Sequence, residues 1–274
     1  MMSRQRLHDQ VQVQRGFFRL GWLGLISYPS SFATALLAQL AALVVTLFVA
    51  EIVPNTPEVG NDYYTFAVIG LLVTGFLEAG LRGFGSAMEF EIQAGRVEAL
   101  LVEPVNWRFL PFGMVQFIAV QRTAITVSSL ALSLLFGAHY MMSGLLPAIG
   151  VTLLAFVTVL AIGILGTSLK LLTKRSDPLL MLYTMVAGIF SGATFPLDAI
   201  PRILRPISWL IPHTYVISAA RRLLMPDSEG IPGPGLGVSV IALLARCVVL
   251  YPLAFFMYGR VMELGRRLGV LAGY

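Results

Sequence analysis

The sequence predicts an all-α polytopic membrane protein with six transmembrane helices, an interfacial N-terminal helix and a re-entrant helical hairpin before the last span. Three observations carry this. The chain has 274 residues, 57% hydrophobic and 12% charged, where a soluble domain carries about 25% charged residues. Several uncharged runs approach the roughly 20 residues that cross a bilayer as a helix. The 19 Lys and Arg flank these runs and collect on one side of them. The net charge of +5 is therefore a membrane signature. The basic residues form no patch with interleaved aromatics, so no nucleic-acid partner is expected. The single Cys247 excludes an internal disulfide, and His8, His139 and His213 are scattered without a metal-binding spacing. No short apolar segment precedes a small-residue cleavage site, so no cleavable signal peptide is expected.

Taken in order, residues 1–31 read as a cytoplasmic and interfacial N-terminus. Met1 to Gln14 is polar and reads as frayed. From Arg15 to Tyr28, Phe17, Phe18, Trp22 and Leu25 share one arc of a helical wheel, with Arg15 and Arg19 at its edge. Such a helix lies in the membrane interface with its Arg heads at the phosphates. The alternative is the first turns of a transmembrane helix, and Pro29 argues for a break instead. The first span is about Phe32 to Val53. A loop without Lys or Arg follows, and the second span runs from about Tyr63 to Gly85. The third lies within Leu110 to Gly137, the fourth from about Leu145 to Ser168, the short fifth from Leu179 to Phe195, and the sixth from about Leu236 to Tyr258. With the N-terminus in the cytoplasm, most Lys and Arg fall inside, including Arg82, Arg96, Lys170, Lys174, Arg175 and Arg260. Six spans with both termini cytoplasmic is the consistent topology.

Two stretches between spans stand out. Residues 86–109 form a charged island. Glu89, Glu91, Glu98 and Glu103 with Arg96 and Arg108 cannot lie within hydrocarbon at tolerable cost. Val97, Leu100 and Leu101 recur at helical spacing, so a short amphipathic helix is expected from Glu89 to Glu103, ended by Pro104. The other reading is an ordinary solvated connector. Residues 196–235 are apolar but cut by Pro196, Pro201, Pro206 and Pro212 into pieces too short to span, and they hold all four outside Arg: Arg202, Arg205, Arg221 and Arg222. Broken backbone at membrane depth is tolerated only where protein or a wet cavity surrounds it, so the segment reads as a re-entrant hairpin. An amphipathic helix resting on the outer leaflet is the alternative.

With both stretches placed, the chain resembles the ABC-2 type permeases of bacterial ABC transporters over nearly its whole length. Gly95-Arg96-Val97-Glu98-Ala99-Leu100-Leu101 before Pro104-Val105 is similar to the family's Gly-Thr-Leu-Glu-x-Leu-Leu stretch, with Arg96 and Val97 departing from it. Ser191-Gly192, Phe195-Pro196, Pro201, Pro212, Thr214-Tyr215 and Arg221 resemble the family's segment before its last span. The resemblance implies one transmembrane domain over residues 1–274, in the inner membrane of a bacterium, forming the export path as a dimer with a second copy or a paralogue. It also implies a separate cytoplasmic ATPase that binds ATP and Mg. The chain itself has no Gly-x-x-x-x-Gly-Lys-Ser/Thr and cannot cradle phosphates that way.

The expected site residues follow. Glu91, Arg96 and Glu98 are expected to contact the ATPase, with Leu100 and Leu101 packing beneath. Gly188 and Gly192 form a Gly-x-x-x-Gly pair suited to a dimer contact, or to packing inside one chain. Glu78 and Arg82 sit four apart and are expected to pair. Arg122 and Arg246 lack a local partner and must face an interior or wet path, where they meet either an anionic part of the substrate or a buried partner such as Glu78 or a backbone carbonyl. Pro196, Pro201, Ile207 and Pro212 are expected at an outer gate. A secondary transporter without an ATPase would need midplane ion-coupling carboxylates, and Glu78 is the one intramembrane acid. A membrane-embedded enzyme would need a catalytic constellation, and none emerges.

Overall fold

A computed structural model describes residues 2–27, 29–96, 109–173 and 178–268. Nine α-helices are found among them: α1 (Met2–Ser27), α2 (Pro29–Ile52), α3 (Tyr63–Gln93), α4 (Leu110–Leu135), α5 (Leu145–Thr173), α6 (Pro178–Phe190), α7 (Arg205–Leu210), α8 (Pro212–Leu224) and α9 (Leu236–Leu268). Five are long and apolar enough to cross a membrane: α2, α3, α4, α5 and α9. The fifth predicted span is the exception. Its helix, α6, has 13 residues, about 20 Å at 1.5 Å per residue, against a hydrocarbon core of about 30 Å.

Local rules explain most boundaries. Proline opens α2 and α6 and sits in the first turn of α4, α7 and α8, where its missing N–H would have had no helical partner. Asp62 caps α3: its carboxylate accepts from the Thr65 backbone N–H at 3.0 Å and from the Thr65 hydroxyl at 2.6 Å. The other end of α3 closes on Gly95, at φ +67°. The Gly95 N–H donates to the Ile92 carbonyl and the Arg96 N–H to the Glu91 carbonyl, both at 3.0 Å. This is a Schellman closure, which satisfies carbonyls that a helix end otherwise leaves open.

Several boundaries differ from the sequence reading, and two of them bear on the charged ends of the bundle. Helix α1 runs back to Met2, through the stretch read as frayed. The charged island does not begin as a separate helix. Glu89 to Gln93 are the last turn of α3, and the chain turns at Gly95, so no single helix runs from Glu89 to Glu103. Helical periodicity cannot separate a new helix from the overhang of a long one. Residues 97–108 lie outside the described residues, among them Glu98, Leu100 and Leu101.

Helix α3 is the centre of the bundle. Phe66, Val68, Leu77 and Phe84 are fully buried along it. It packs on α5 with almost no side chain between: a Cβ on Gly163 would stand 2.4 Å from the Leu81 carbonyl oxygen. Phe76 meets Phe156 with ring centroids 5.2 Å apart. On the other side, Phe84 meets Tyr258 of α9 edge-on at 5.4 Å. Helix α1 docks on α4, where Phe18 packs against Phe117 and the Gln14 amide donates to the Phe109 carbonyl at 2.9 Å. Leu20, Trp22 and Ile26 of α1 are exposed.

Candidate functional site

The segment between α6 and α9 is assembled by arginines that donate to main-chain carbonyls. Arg205 donates through Nε to Ile200 O at 3.1 Å and through Nη2 to Asp198 O at 2.9 Å, and it pairs with the Asp198 carboxylate at 3.1 Å. Arg222 reaches Pro234 O, Ile231 O and Gly233 O at 3.1 to 3.2 Å. Arg246, on α9, donates to Ala242 O at 3.0 Å and to Trp209 O at 2.7 Å, and its guanidinium lies 4.4 Å from the Tyr215 ring centroid. Tyr215 also donates to Trp209 O, at 2.8 Å. Irregular backbone leaves carbonyls without ladder partners, and a guanidinium with five N–H donors can serve several at once.

Arg221 is the extreme case. It is 3% exposed. Its Nε and Nη2 both donate to Phe66 O, at 3.1 and 3.0 Å, its Nη1 donates to Gly192 O at 2.6 Å, and its Nη2 also donates to Ala193 O at 2.6 Å. The guanidinium carbon sits 3.3 Å from the Phe66 ring centroid. No carboxylate pairs with it among the described residues. The sequence reading placed Arg221 in the right segment without giving it a role. The available signal was the cluster of four Arg in one apolar, proline-broken segment.

The expected gate residues mark the joints of this segment. Pro196 precedes a short 3₁₀ turn, Leu197–Ala199. Pro201 accepts from the Leu204 N–H at 2.8 Å. Ile207 is half-buried on α7, and Pro212 is buried at the start of α8. His213, beside it, is 3% exposed and its Nδ1 lies 3.1 Å from the Tyr183 hydroxyl of α6. Gly188 and Gly192 do not share one helix. Gly188 is exposed on α6 with nothing within 4 Å of a Cβ built there, whereas Gly192 lies past the helix end at φ +75°. Gly192 makes a turn, and a left-handed φ is what glycine permits there.

The end of the bundle where α3 finishes is charged. Arg96 makes a two-pronged contact with the Glu91 carboxylate at 2.8 and 2.9 Å, and that carboxylate holds the guanidinium pKa above its usual value. Lys170 of α5 pairs with Glu89 at 2.5 Å, beside a cleft of about 290 Å³ between α3 and α5. Glu78 and Arg82 pair at 3.2 Å as their spacing predicts, and Arg82 also donates to the Thr184 hydroxyl of α6 at 3.1 Å. Arg122 is half-buried on α4 and meets no ion-pair partner among the described residues. Between α4 and α5 lies an apolar pocket of about 170 Å³ bordered by Phe76, Val127, Leu130, Ile149 and Leu153. The hydroxyls of Thr123, Thr152 and Tyr140 at its wall are bonded to Ala119 O, Ala148 O and Ser133, which leaves their apolar atoms to face it.

A family model described as ABC-2 family transporter protein matches residues 107–256. No curated protein matches the chain.

Proposed function

The chain belongs to the ABC-2 transporter family, and from that premise we propose that it is the permease subunit of an ATP-driven exporter in the inner membrane of a bacterium. It works as a dimer with a second copy or a paralogue, and a separate cytoplasmic ATPase binds ATP and Mg. The observation that carries the reading is the inner end of α3. This helix has 31 residues, about 46 Å of length, and so overhangs a hydrocarbon core of about 30 Å. Its last turn presents Glu89 and Glu91 in ion pairs with Lys170 and Arg96. The most buried of the five long helices thus also extends beyond the hydrocarbon, and force applied at its end passes into the core.

On this reading Glu91, Arg96 and Glu98 meet the ATPase, with Leu100 and Leu101 behind them. The segment after α6 is a re-entrant hairpin at the outer gate, and α6 completes six spans with both termini in the cytoplasm. Support for re-entry comes from depth: Arg246, ten positions into α9, bonds the Trp209 carbonyl at the end of α7. The dimer forms on the open face of α6, where Met181, Met185 and Ile189 are exposed beside Gly188. Arg246 serves the hairpin as a clamp, and Arg122 lines the path. Membrane lipid covers the exposed apolar faces and fills the pocket between α4 and α5.

The test is biochemical. Purified alone, the chain hydrolyses no ATP, and from native membranes a P-loop ATPase co-purifies with it. Glu98→Lys leaves insertion intact and reduces the ATPase recovered. Hydrolysis by the isolated chain contradicts the assignment, and undiminished ATPase binding by the variant makes Glu98 a solvated charge only.

A further inference from the structure

The turn after α6 is held to the bundle in an unusual way. Its three successive carbonyls all go to side chains of other elements: Gly192 O and Ala193 O to Arg221 of α8, and Thr194 O to the Tyr63 hydroxyl of α3 at 2.9 Å. Beneath it, Gly70 of α3 touches the turn backbone to backbone, and a Cβ there would stand 2.0 Å from Ala193 O. Arg221 spans the joint, because the same guanidinium bonds Phe66 O on α3. One side chain therefore ties α3, α8 and the end of α6 together.

We propose that Arg221 is a positioning residue for transport, which pins the turn at 191–194 onto α3 at rest and lets it go during the cycle. Two physical features suit it to release. Every partner is a neutral carbonyl, so parting them strands no buried carboxylate, whereas breaking an Arg–carboxylate pair would leave one uncompensated. Arg221 also lies over the Phe66 ring, a face that holds the cation after its carbonyl bonds to the turn are broken. The inner half of α6 is tied to α3 separately, through Arg82 and Thr184. Movement entering at the inner end of α3 thus reaches α6 at two levels, and the Arg221 contact decides whether the outer level follows. This goes beyond the ATPase-driven reading, and its ATP-dependent half rests on that reading.

Ser191 supplies the probe. It is 1% exposed and its hydroxyl has no hydrogen-bond partner among the described residues, so Ser191→Cys fits the site. The full chain carrying Cys247→Ser and Ser191→Cys is expressed with its ATPase, and an impermeant thiol reagent is added outside the cell. With ATP depleted the parent labels slowly. Arg221→Gln raises the rate about tenfold or more, the change expected for losing buried charge-assisted hydrogen bonds. Arg221→Lys, which keeps the charge but not the fork, falls between. Gly70→Ala leaves Arg221 in place, pushes the turn off α3 and labels as fast as Arg221→Gln. If Arg221→Gln fails to insert, Arg221→Lys and Gly70→Ala decide. Labelling of these two at the parent's rate overturns the pin, and this arm does not involve the ATPase. Restoring ATP speeds the parent and leaves Arg221→Gln unchanged. A parent rate equal with and without ATP, with ATPase bound, overturns the release.

Discussion

At the residue scale, the chain uses arginine where its backbone is irregular. A helix satisfies its own carbonyls, but the stretch from Ser191 to Gly235 has only short helical pieces. Its open carbonyls lie among apolar neighbours, where an unpaired polar group costs about 1–3 kcal/mol. Arg222 covers three of them in the loop before α9. We expect Arg222→Leu to destabilise that loop locally by about 2 kcal/mol and to leave the bundle intact. Amide exchange at Ile231, whose N–H donates to the Ser228 carbonyl, should quicken while the α3 and α5 amides stay protected. Uniform loss of protection across the molecule would show that Arg222 supports the global fold instead.

At the element scale, the glycines separate contacts within the chain from surfaces open to a partner. Gly163 sits where α5 crosses α3 against backbone, so Gly163→Leu should force the two helices apart. Overpacking of this kind costs about 1–3 kcal/mol, and the purified protein should melt earlier in detergent. Gly188 faces open space on α6. Gly188→Leu should leave the melting of the single chain unchanged and reduce the dimer fraction seen by cross-linking in membranes. If Gly188→Leu has no effect on cross-linking, the dimer contact lies elsewhere, and the exposed apolar residues of α9, such as Val248 and Phe256, become the next surface to test.

For the whole molecule, the question is how a chain with five long apolar helices and one short one is threaded through a bilayer. Six crossings place Asp198 and Ser228 on the outside. In a Cys247→Ser background, Asp198→Cys and Ser228→Cys should react with an impermeant thiol reagent from outside, and Ile207→Cys should react poorly at rest. Reaction of the first two from the cytoplasmic side alone would overturn the six-span topology. Free reaction of Ile207→Cys in every state would make the segment a surface loop.

Much of this architecture is legible from residues alone, because the rules that set it are local. Runs of apolar residues give the positions of α2, α3, α4, α5 and α9, since hydrocarbon requires each span to satisfy its own backbone. Proline marks where α2, α7 and α8 begin. The four-residue spacing of Glu78 and Arg82 foretells their ion pair. The shared hold of Arg221 on Phe66 O, 155 positions away, and on Gly192 O and Ala193 O, 29 and 28 positions away, could not be read this way. Every residue carries a backbone carbonyl, so an arginine that bonds carbonyls leaves no pairing pattern in the sequence, unlike one that bonds a carboxylate. The Gly188–Gly192 spacing misleads for a related reason. A four-residue repeat implies one helix face only if the helix continues, and here it stops at Phe190, where the packing of Ala193 against Gly70 of α3 takes the chain out of the helix.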